Sequence, residues 1–457
     1  MSYNFQGGNR DQLWLMPPAI TDWLPADHLA WMVIDAVESM GLQAFYAKYR
    51  TNGQGNTAWH PKMMVAMLLY AYCQGERSSR KIERLCQESV AYRVITGNEK
   101  PDHSSISRFR QDHAEAMKSL FTESLRLCAE AGLVKVGKVN LDGTKMKANA
   151  SLAANRTEKA LAAEIERMLC EAAAKDAEED AAFGKDKRGD ELPEDLRTRE
   201  DRLKRLKEAK ARLERERLAL EAAQVAKLAK RVEQEQATGK KTRGRAPKSV
   251  AAVRTEQEER KANVTAPETR IMKTRGGYVQ GFNAQAVCTD DQIIIAGEVT
   301  NQENDQGLYH PMMSQAQTNA TAVLPQEEAR IELGRADAGY PNEADLEKKC
   351  DYEMLMATKK DWKRRKELRE EPPPRGRIPK HLSAMERMER KLKTKRGSAE
   401  YKMRSQTIEP VFGQIKSGRG FDSFYGRELA SAQGEWDLIC GTHNLLKLFA
   451  RTREMRN

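Results

Sequence analysis

The sequence predicts an α/β (α+β) protein with a mixed five-stranded sheet, preceded by an all-α domain and interrupted by a long helical-hairpin insertion. Three observations carry this reading. Residues 1–135 repeat apolar side chains at helical spacing between short turns, the pattern turns to strand-like alternation at 136, and it breaks off near 152 to return only after 263. A chain of 457 residues, 39% hydrophobic, 32% charged and 6% aromatic, is long enough for two or three domains and at least one sizeable core.

In the first region "PKMMVAMLLYAYCQG" opens with Pro61, a good first-turn residue, and repeats apolar residues through Met64, Leu68 and Tyr72. After the turn at Gly75, "SSRKIERLCQESVAYRVIT" reads as a helix with Ile82, Leu85 and Val90 as its buried stripe. The break "GNEKPD" precedes "SSISRFRQDHAEAMKSLFTESLRLCAEAGL", a helix capped by Ser104 or Ser105 and closed near Gly132. Short helices with Arg77, Arg80, Lys81, Arg84, Arg108 and Arg110 around their turns suit a helix-turn-helix-like DNA-binding unit. They equally suit a plain bundle with a solvated basic face.

"VGKVNLDGTKMKANAS" then alternates as a strand, with Val136, Val139 and Leu141 leading to Asp142. Residues 152–263 return to helix. Leu161, Ile165, Met168 and Leu169 share one face, and Leu196, Leu203, Leu206, Leu213 and Leu220 fall roughly in heptad register. Lys210 and Arg217 sit at seam positions, which disfavours a long coiled coil, so an antiparallel hairpin with a basic Gly/Pro-containing linker is the simplest reading. "GGYVQGFNAQAVCTDDQIIIAGEVT" reads as a β-hairpin turning at Asp290 and Asp291. A helix around "LYHPMMSQAQ", the strand of "ARIELGRADAGY", the helix "NEADLEKKC" and the strand "YEMLMAT" follow, then a basic, proline-broken stretch and helices from about Ser383. With the insertion set aside, the order is strand, strand, strand, helix, strand, helix, strand, helix. That is an RNase H-like layout over 136–151 and 264–457.

A formal charge of +11 favours a polyanionic partner, since each lysine or arginine set against a phosphate releases a counterion. No apolar run approaches the roughly 20 residues needed to span a bilayer. "MSYNFQGGNR" lacks the apolar core of a signal peptide, so no membrane role and a cytoplasmic location are expected. The seven cysteines stand apart with no CxxC pair, as reduced core thiols do, which disfavours a zinc site.

In such a sheet, strand ends and helix faces bring distant carboxylates together. Two Mg²⁺ ions about 3.5–4 Å apart can activate a water or a 3′-hydroxyl and stabilise the leaving oxygen of a phosphodiester, and Mg²⁺ prefers oxygen ligands. Three carboxylates are needed. Asp142 ends the first strand, with Gly143, Thr144 and Lys145 behind it leaving room for a phosphate and a cation. Asp337 ends a later strand among Ala336, Ala338 and Gly339, and Glu409 lies on a late helix with Tyr401, Arg404 and Lys416 on one broad face. Taken singly, strand-end aspartates are usually turn formers. Asp290, Asp291, Asp305 and Glu298 are rival carboxylates: Asp290 and Asp291 read as turn residues, Asp305 as a helix cap with a position facing the site as the alternative, and His103, His113 and His443 as helix-embedded residues.

"NLDGTKMKANAS", "GYVQGFNAQAV", "TNQENDQ", "RADAGY" and "YKMRSQTIEPVFGQIKSGRGFDSF" together resemble bacterial insertion-sequence transposases of the DDE type. "WHPKMMVAMLLYAYCQGERSSRKIERLC" with "PDHSSISRFR" is similar to the helical N-terminal domain of the same elements. The resemblance implies that Asp142, Asp337 and Glu409 form a metal-binding catalytic triad using two Mg²⁺ ions, with Mn²⁺ a possible substitute. It also implies that Tyr401, Arg404, Glu409 and Lys416 match a Tyr-Arg-Glu-Lys pattern, although four residues separate Arg404 from Glu409 where the tightest form has three. Lys145, Arg404 and Lys416 are then phosphate contacts. The implied activity is binding of the element's terminal inverted repeats in double-stranded DNA, strand cleavage, and strand transfer into target DNA by a homodimer or larger synaptic complex. An inactive, transposase-derived DNA-binding regulator is the alternative. The insertion lies after the first strand, whereas many relatives expand the stretch before the glutamate.

Overall fold

The computed structural model describes residues 19–49, 57–183, 194–239, 241, 246–274, 276–358, 374, 376–379 and 381–456, with side chains left aside at 172–201 and 456. Of the loop expected at 184–195, residues 184–193 fall outside them, as do five residues of the basic linker and most of the proline-broken stretch; Glu194 and Asp195 are helical. Two units emerge, Met1–Leu133 with Leu438–Asn457, and Val134–Asp437. The insertion belongs with the sheet, and the last residues group with the N-terminal helices.

The first unit is helical: α1 (Leu29–Ser39), α2 (Gln43–Tyr46), α3 (Pro61–Cys73), α4 (Ser79–Glu88), α5 (Val90–Ile95), α6 (His103–Asp112) and α7 (Ala114–Glu130). α3 opens on Pro61 and is buried on nearly every side from Met64 to Cys73, as suits the central helix of a bundle. The single helix expected after Gly75 is two. Ser89 adopts an extended conformation between α4 and α5, which leaves Val90 39% exposed and buries Tyr92, Val94 and Ile95 instead. The next helix also divides, at His113, whose ring packs among Phe45, Tyr49 and Phe109. Its cap is Asp102 rather than Ser104 or Ser105: the carboxylate accepts the Ser105 amide at 2.9 Å, a shorter reach for an acid one residue ahead of the first turn. Gly132, at φ +69°, ends α7 in the left-handed conformation.

In the second unit, β1 (Lys138–Lys147) leads to a two-stranded ribbon of β2 (Asn155–Thr157) and β3 (Lys261–Asn263). Between them run α8 (Glu158–Phe183), α9 (Glu194–Thr238) and α10 (Val250–Glu258). Leu161 packs with Leu206, Ala209, Leu213 and Ala262, and Ile165 and Met168 join them. Leu169 and Leu220, expected on the apolar seams, are 48% and 39% exposed. The ribbon and α10 were not legible from periodicity, because three-residue strands carry too little of it.

β4 (Arg270–Thr274), β5 (Gly277–Thr289) and β6 (Ile294–Thr300) continue the main sheet, followed by α11 (Tyr309–Val323), β7 (Leu333–Ala336), α12 (Glu343–Glu347) and β8 (Glu353–Met356). Five strands run in the order β6-β5-β1-β7-β8, antiparallel among the first three and parallel among the last three. The short β4 is a sixth, sharing β5 with β6. The sequence gives no separate sign of it, since the 13-residue β5 outruns β6 and pairs with β4 along its first residues. The turn at Asp290 and Asp291 joins β5 to β6, with Gln292 at φ +65°. One sheet face carries α11, where any side chain at Gly334 would meet Tyr309 and Met313. On the other lie α13 (Ala384–Lys393), α14 (Lys395–Lys402) and α15 (Arg404–Gly413), held by a cluster of Leu333, Leu355, Met388 and Tyr401. A π turn at Gln414–Gly418 follows α15, and α16 (Leu429–Arg456) ends the chain.

Candidate active site

Successive side chains of a strand face opposite ways. On β1, Val139 and Leu141 are buried on one side while Asn140 and Asp142 take the other. β7 runs parallel to β1 with Leu141 beside Ala336, so Asp142 and Asp337 leave neighbouring strands at the same level. Two residues earlier, Asn140 accepts a hydrogen bond from Arg335 at 3.2 Å, which fixes the shared face.

Arg335 is fully buried and carries α14 with it. Its guanidinium pairs with Asp290 (2.6 Å) and with Glu400 (2.6 Å), and Glu400 also pairs with Lys138 (2.7 Å). Those partners hold the Glu400 carboxyl below the usual range. Asp290, expected to turn the hairpin, is thus also one of two acids paired with buried Arg335, and the other, Glu400, anchors α14 above the site.

The anchored helix brings Arg404 over Asp142, which lies midway along β1 and not at its end as expected, because β1 stays paired with β5 as far as Lys147. The Arg404 Nη2 lies 2.5 Å from Asp142 Oδ2 and its Nη1 4.0 Å from Glu409 Oε1. Burial raises the Asp142 carboxyl most, Arg404 pulls it down, and Asp337 pushes it up, with a result of about 6. α15 contains Pro410, which cannot donate to the Gln406 carbonyl; the Gln292 side chain donates to that carbonyl instead, at 3.0 Å.

Asp305 is the residue the sequence reading undervalued. It caps no helix, and α11 begins at Tyr309 with no side-chain cap. Asp305 Oδ1 accepts from Asn283 (2.7 Å), Gln285 (3.0 Å) and Lys145 (3.4 Å). A Cβ at Gly339 would lie 2.9 Å from a carboxylate oxygen of Asp305 and equally close to one of Asp337, so these two acids converge there. Buried Tyr340 donates to Gln285, completing a polar floor beneath the aspartates. The only sequence sign was the amide-rich alternation of Asn283 and Gln285 on a strand otherwise apolar.

The space at Gly143 and Gly339 belongs to protein atoms. A Cβ on Gly143 would sit 2.1 Å from Gln285 Nε2, so the room expected there for a phosphate is filled by an amide. Lys145 is tied to Asp305, and burial lowers its ammonium. Lys416 lies in the π turn and donates to the Lys145 carbonyl at 2.7 Å. Tyr401 packs partly into the apolar cluster on α14. The single broad face expected for Tyr401, Arg404, Glu409 and Lys416 is therefore divided among α14, α15 and the π turn, because the helical hydrogen-bond pattern breaks at Met403 and widens at Gln414.

Glu409 sits at the rim, its side chain 58% exposed. Among the described residues no three His, Cys, Asp or Glu side chains are set as a metal cage; Arg404 takes the Asp142 oxygen. By kind the donors fit a hard divalent cation, for they are all oxygens. Half-buried Asp142, crowded by Asp337 and Asp305, also carries negative charge that a cation would relieve. Glu298 is exposed, His103 pairs with Glu83 at 2.8 Å, and His113 and His443 are buried in the first unit. Five cysteines are buried as expected, but Cys170 is exposed and Cys350 half-buried.

In the first unit α4 packs on α6. Arg80, Lys81, Arg84 and Arg108 are exposed, with Lys81 paired to Glu76 and Arg84 3.6 Å from Glu88. Arg110 is turned inward to the Arg77 carbonyl (2.7 Å) and to Ser79. It braces the turn before α4, so Arg110 leaves the set of expected DNA contacts, while Arg77 is half-buried at that turn.

Fold and site together define an α/β protein with a carboxylate-rich site between two adjacent parallel strands, beneath a helix that carries Arg404 and Glu409. Two family models match the chain, Transposase domain (DUF772) over residues 18–112 and Transposase DDE domain over residues 357–449. These two matches support an insertion-sequence transposase of the DDE type, and the DDE domain implies a DNA-cleaving, nucleotidyl-transferring class of enzyme. The second match includes Glu409, Arg404 and Lys416 and stops short of Asp142 and Asp337. No curated protein and no solved structure matches. No described helix is long and apolar enough to cross a membrane.

Proposed function

We propose that this transposase binds the terminal inverted repeats of its element and carries out Mg²⁺-dependent strand cleavage and strand transfer at Asp142, Asp337 and Glu409. The observation that carries the reading is the level placement of Asp142 and Asp337 on adjacent parallel strands, beneath the helix that bears Glu409. The strand order, antiparallel through β6-β5-β1 and parallel through β1-β7-β8, supports an RNase H-like catalytic domain, with residues 152–263 as a helical-hairpin insertion and residues 1–135 as the end-binding domain.

Asp142 and Asp337 would hold a pair of Mg²⁺ ions, or Mn²⁺ in their place, and Glu409 would complete one of them. Bound there, the ions supply a Lewis acid for the phosphoryl oxygen and lower the pKa of an attacking water or 3′-hydroxyl. The chain's own work is positional. The Arg335–Glu400 pair sets α14, α14 sets Arg404, and Asn283, Gln285 and Lys145 hold Asp305 beside the other two aspartates. Arg404, set between Asp142 and Glu409, has a guanidinium fork that would suit the scissile phosphate. Arg80, Lys81, Arg84 and Arg108 offer the exposed charge for end recognition. Two ends must be held at once, so a homodimer or larger synaptic complex is the working form.

The test is a nicking assay with Mg²⁺ on duplexes carrying the inverted repeats that bracket the gene. Wild type should cut at the element end, and Asp337→Asn should bind the same duplex without cutting. Wild-type binding without cleavage on the correct ends would reject catalysis in favour of the inactive DNA-binding regulator.

A further inference from the structure

We propose that the base of the insertion grips a second phosphate of the DNA backbone, away from the carboxylates, in a pocket built by Arg156, Arg202 and Arg205; this rests on DNA being the substrate. A cavity of about 210 Å³ lies there between β2, α8 and α9, with Glu164 and Thr265 also in its wall. Three guanidiniums face one carboxylate. Arg202 is the one that Glu164 neutralises, at 2.6 Å. Arg156 is held by two neutral acceptors, the carbonyls of Ala153 (2.7 Å) and Asn155 (3.1 Å), which orient its fork and leave its charge uncompensated. Arg205 Nε is buried with no hydrogen-bond partner. Among the described residues no carboxylate pairs with Arg156 or Arg205.

A buried donor without an acceptor is costly, and two guanidiniums with no carboxylate partner among the described residues, set around a small cavity, suit a tetrahedral oxyanion. The walls are pre-organised. Leu206 and Ala209 fix α9 in the core beside Arg205, and Asn155 donates to Gln280 on β5 at 2.9 Å, tying the ribbon to the main sheet. The Arg202 side chain is 55% exposed, so the pocket opens outward at that edge and can accept a phosphate that is part of a polymer. From Asp142, β1 runs on five residues to Lys147, roughly 17 Å at strand rise, before the chain reaches Arg156. A duplex cut at the carboxylates would therefore meet the pocket several base pairs from the break.

The source of the phosphate separates by experiment. In an Asp337→Asn background, which keeps the duplex uncut, Arg205→Gln and, separately, the more exposed Arg156→Gln are compared for binding of end-sequence duplex across a salt series. Each substitution should weaken binding about tenfold and lower the slope of log K against log salt by about 1. Phosphate-ethylation interference should lose one site away from the cleavage point. Unchanged affinity, slope and interference in Arg156→Gln, whose fold does not depend on a buried Arg205, would overturn the proposal. So would stabilisation of the wild type by inorganic phosphate, absent in Arg205→Gln, with DNA binding unaltered: the pocket would then hold a free anion. Failure of the parent protein to bind any duplex would instead bring down the reading of the substrate itself.

Discussion

Asp142 carries a cost in the metal-free protein that can be measured. Its carboxyl stands at about 6 against an ordinary value of 3.8. A difference of about 2 units corresponds to roughly 3 kcal/mol between the two protonation states. The folded value is raised, so the folded state holds a proton that the unfolded chain has released. Stability is then greatest below about pH 4 and is lost as pH rises through about 6. Asp142→Asn mimics the protonated form at every pH and keeps an oxygen for Arg404. In the presence of a chelator, urea midpoints for the two proteins should converge below about pH 4 and separate by pH 7.5, with the asparagine variant the more stable by about 3 kcal/mol. Added Mg²⁺ should narrow the gap by stabilising wild type alone. Parallel curves, or a variant less stable at pH 7.5, would show that Arg404 already neutralises Asp142 fully and that burial does not drive the shift.

Glu400→Ala removes one of two acids paired with fully buried Arg335. We expect a loss of roughly 2 kcal/mol in chemical unfolding, less than a fully broken buried pair because Asp290 remains. Gly143→Ala drives a methyl into the Gln285 amide, so stability should fall by about 1–3 kcal/mol, and cleavage should fall further because the same shift moves Asp142. Asp305→Asn keeps acceptors for Asn283 and Gln285 but removes the charge facing Lys145. Its cleavage rate should drop while end-DNA affinity stays near wild type, and the Lys145 ammonium should titrate still lower, as NMR of that amine would report.

Much of the layout was readable from spacing. Pro61 and the apolar run behind it give α3, the alternation into Asp142 gives β1, and small residues around Asp337 marked a strand end where a carboxylate has room. Short elements and breaks were not. Ser89, His113 and Met403 interrupt helices whose apolar periodicity runs straight across them, because periodicity records which face is buried and not where the backbone bends. The glycines beside the aspartates were read as leaving room for phosphate, metal and DNA backbone, but sequence cannot say what fills the space, and Gln285 and two carboxylates do.

The sequence by itself determined the element types and the three acids worth pursuing, since both depend on residue kind and local order. Tertiary structure alone decided that Asp142 and Asp337 stand level, which follows from the β1–β7 register. It alone recruited Asp305, placed Arg404 on Asp142, turned Arg110 inward and left Glu409 at the rim. Those outcomes are set by burial and by charges meeting across 60 to 260 residues of chain, distances over which no local pattern carries information.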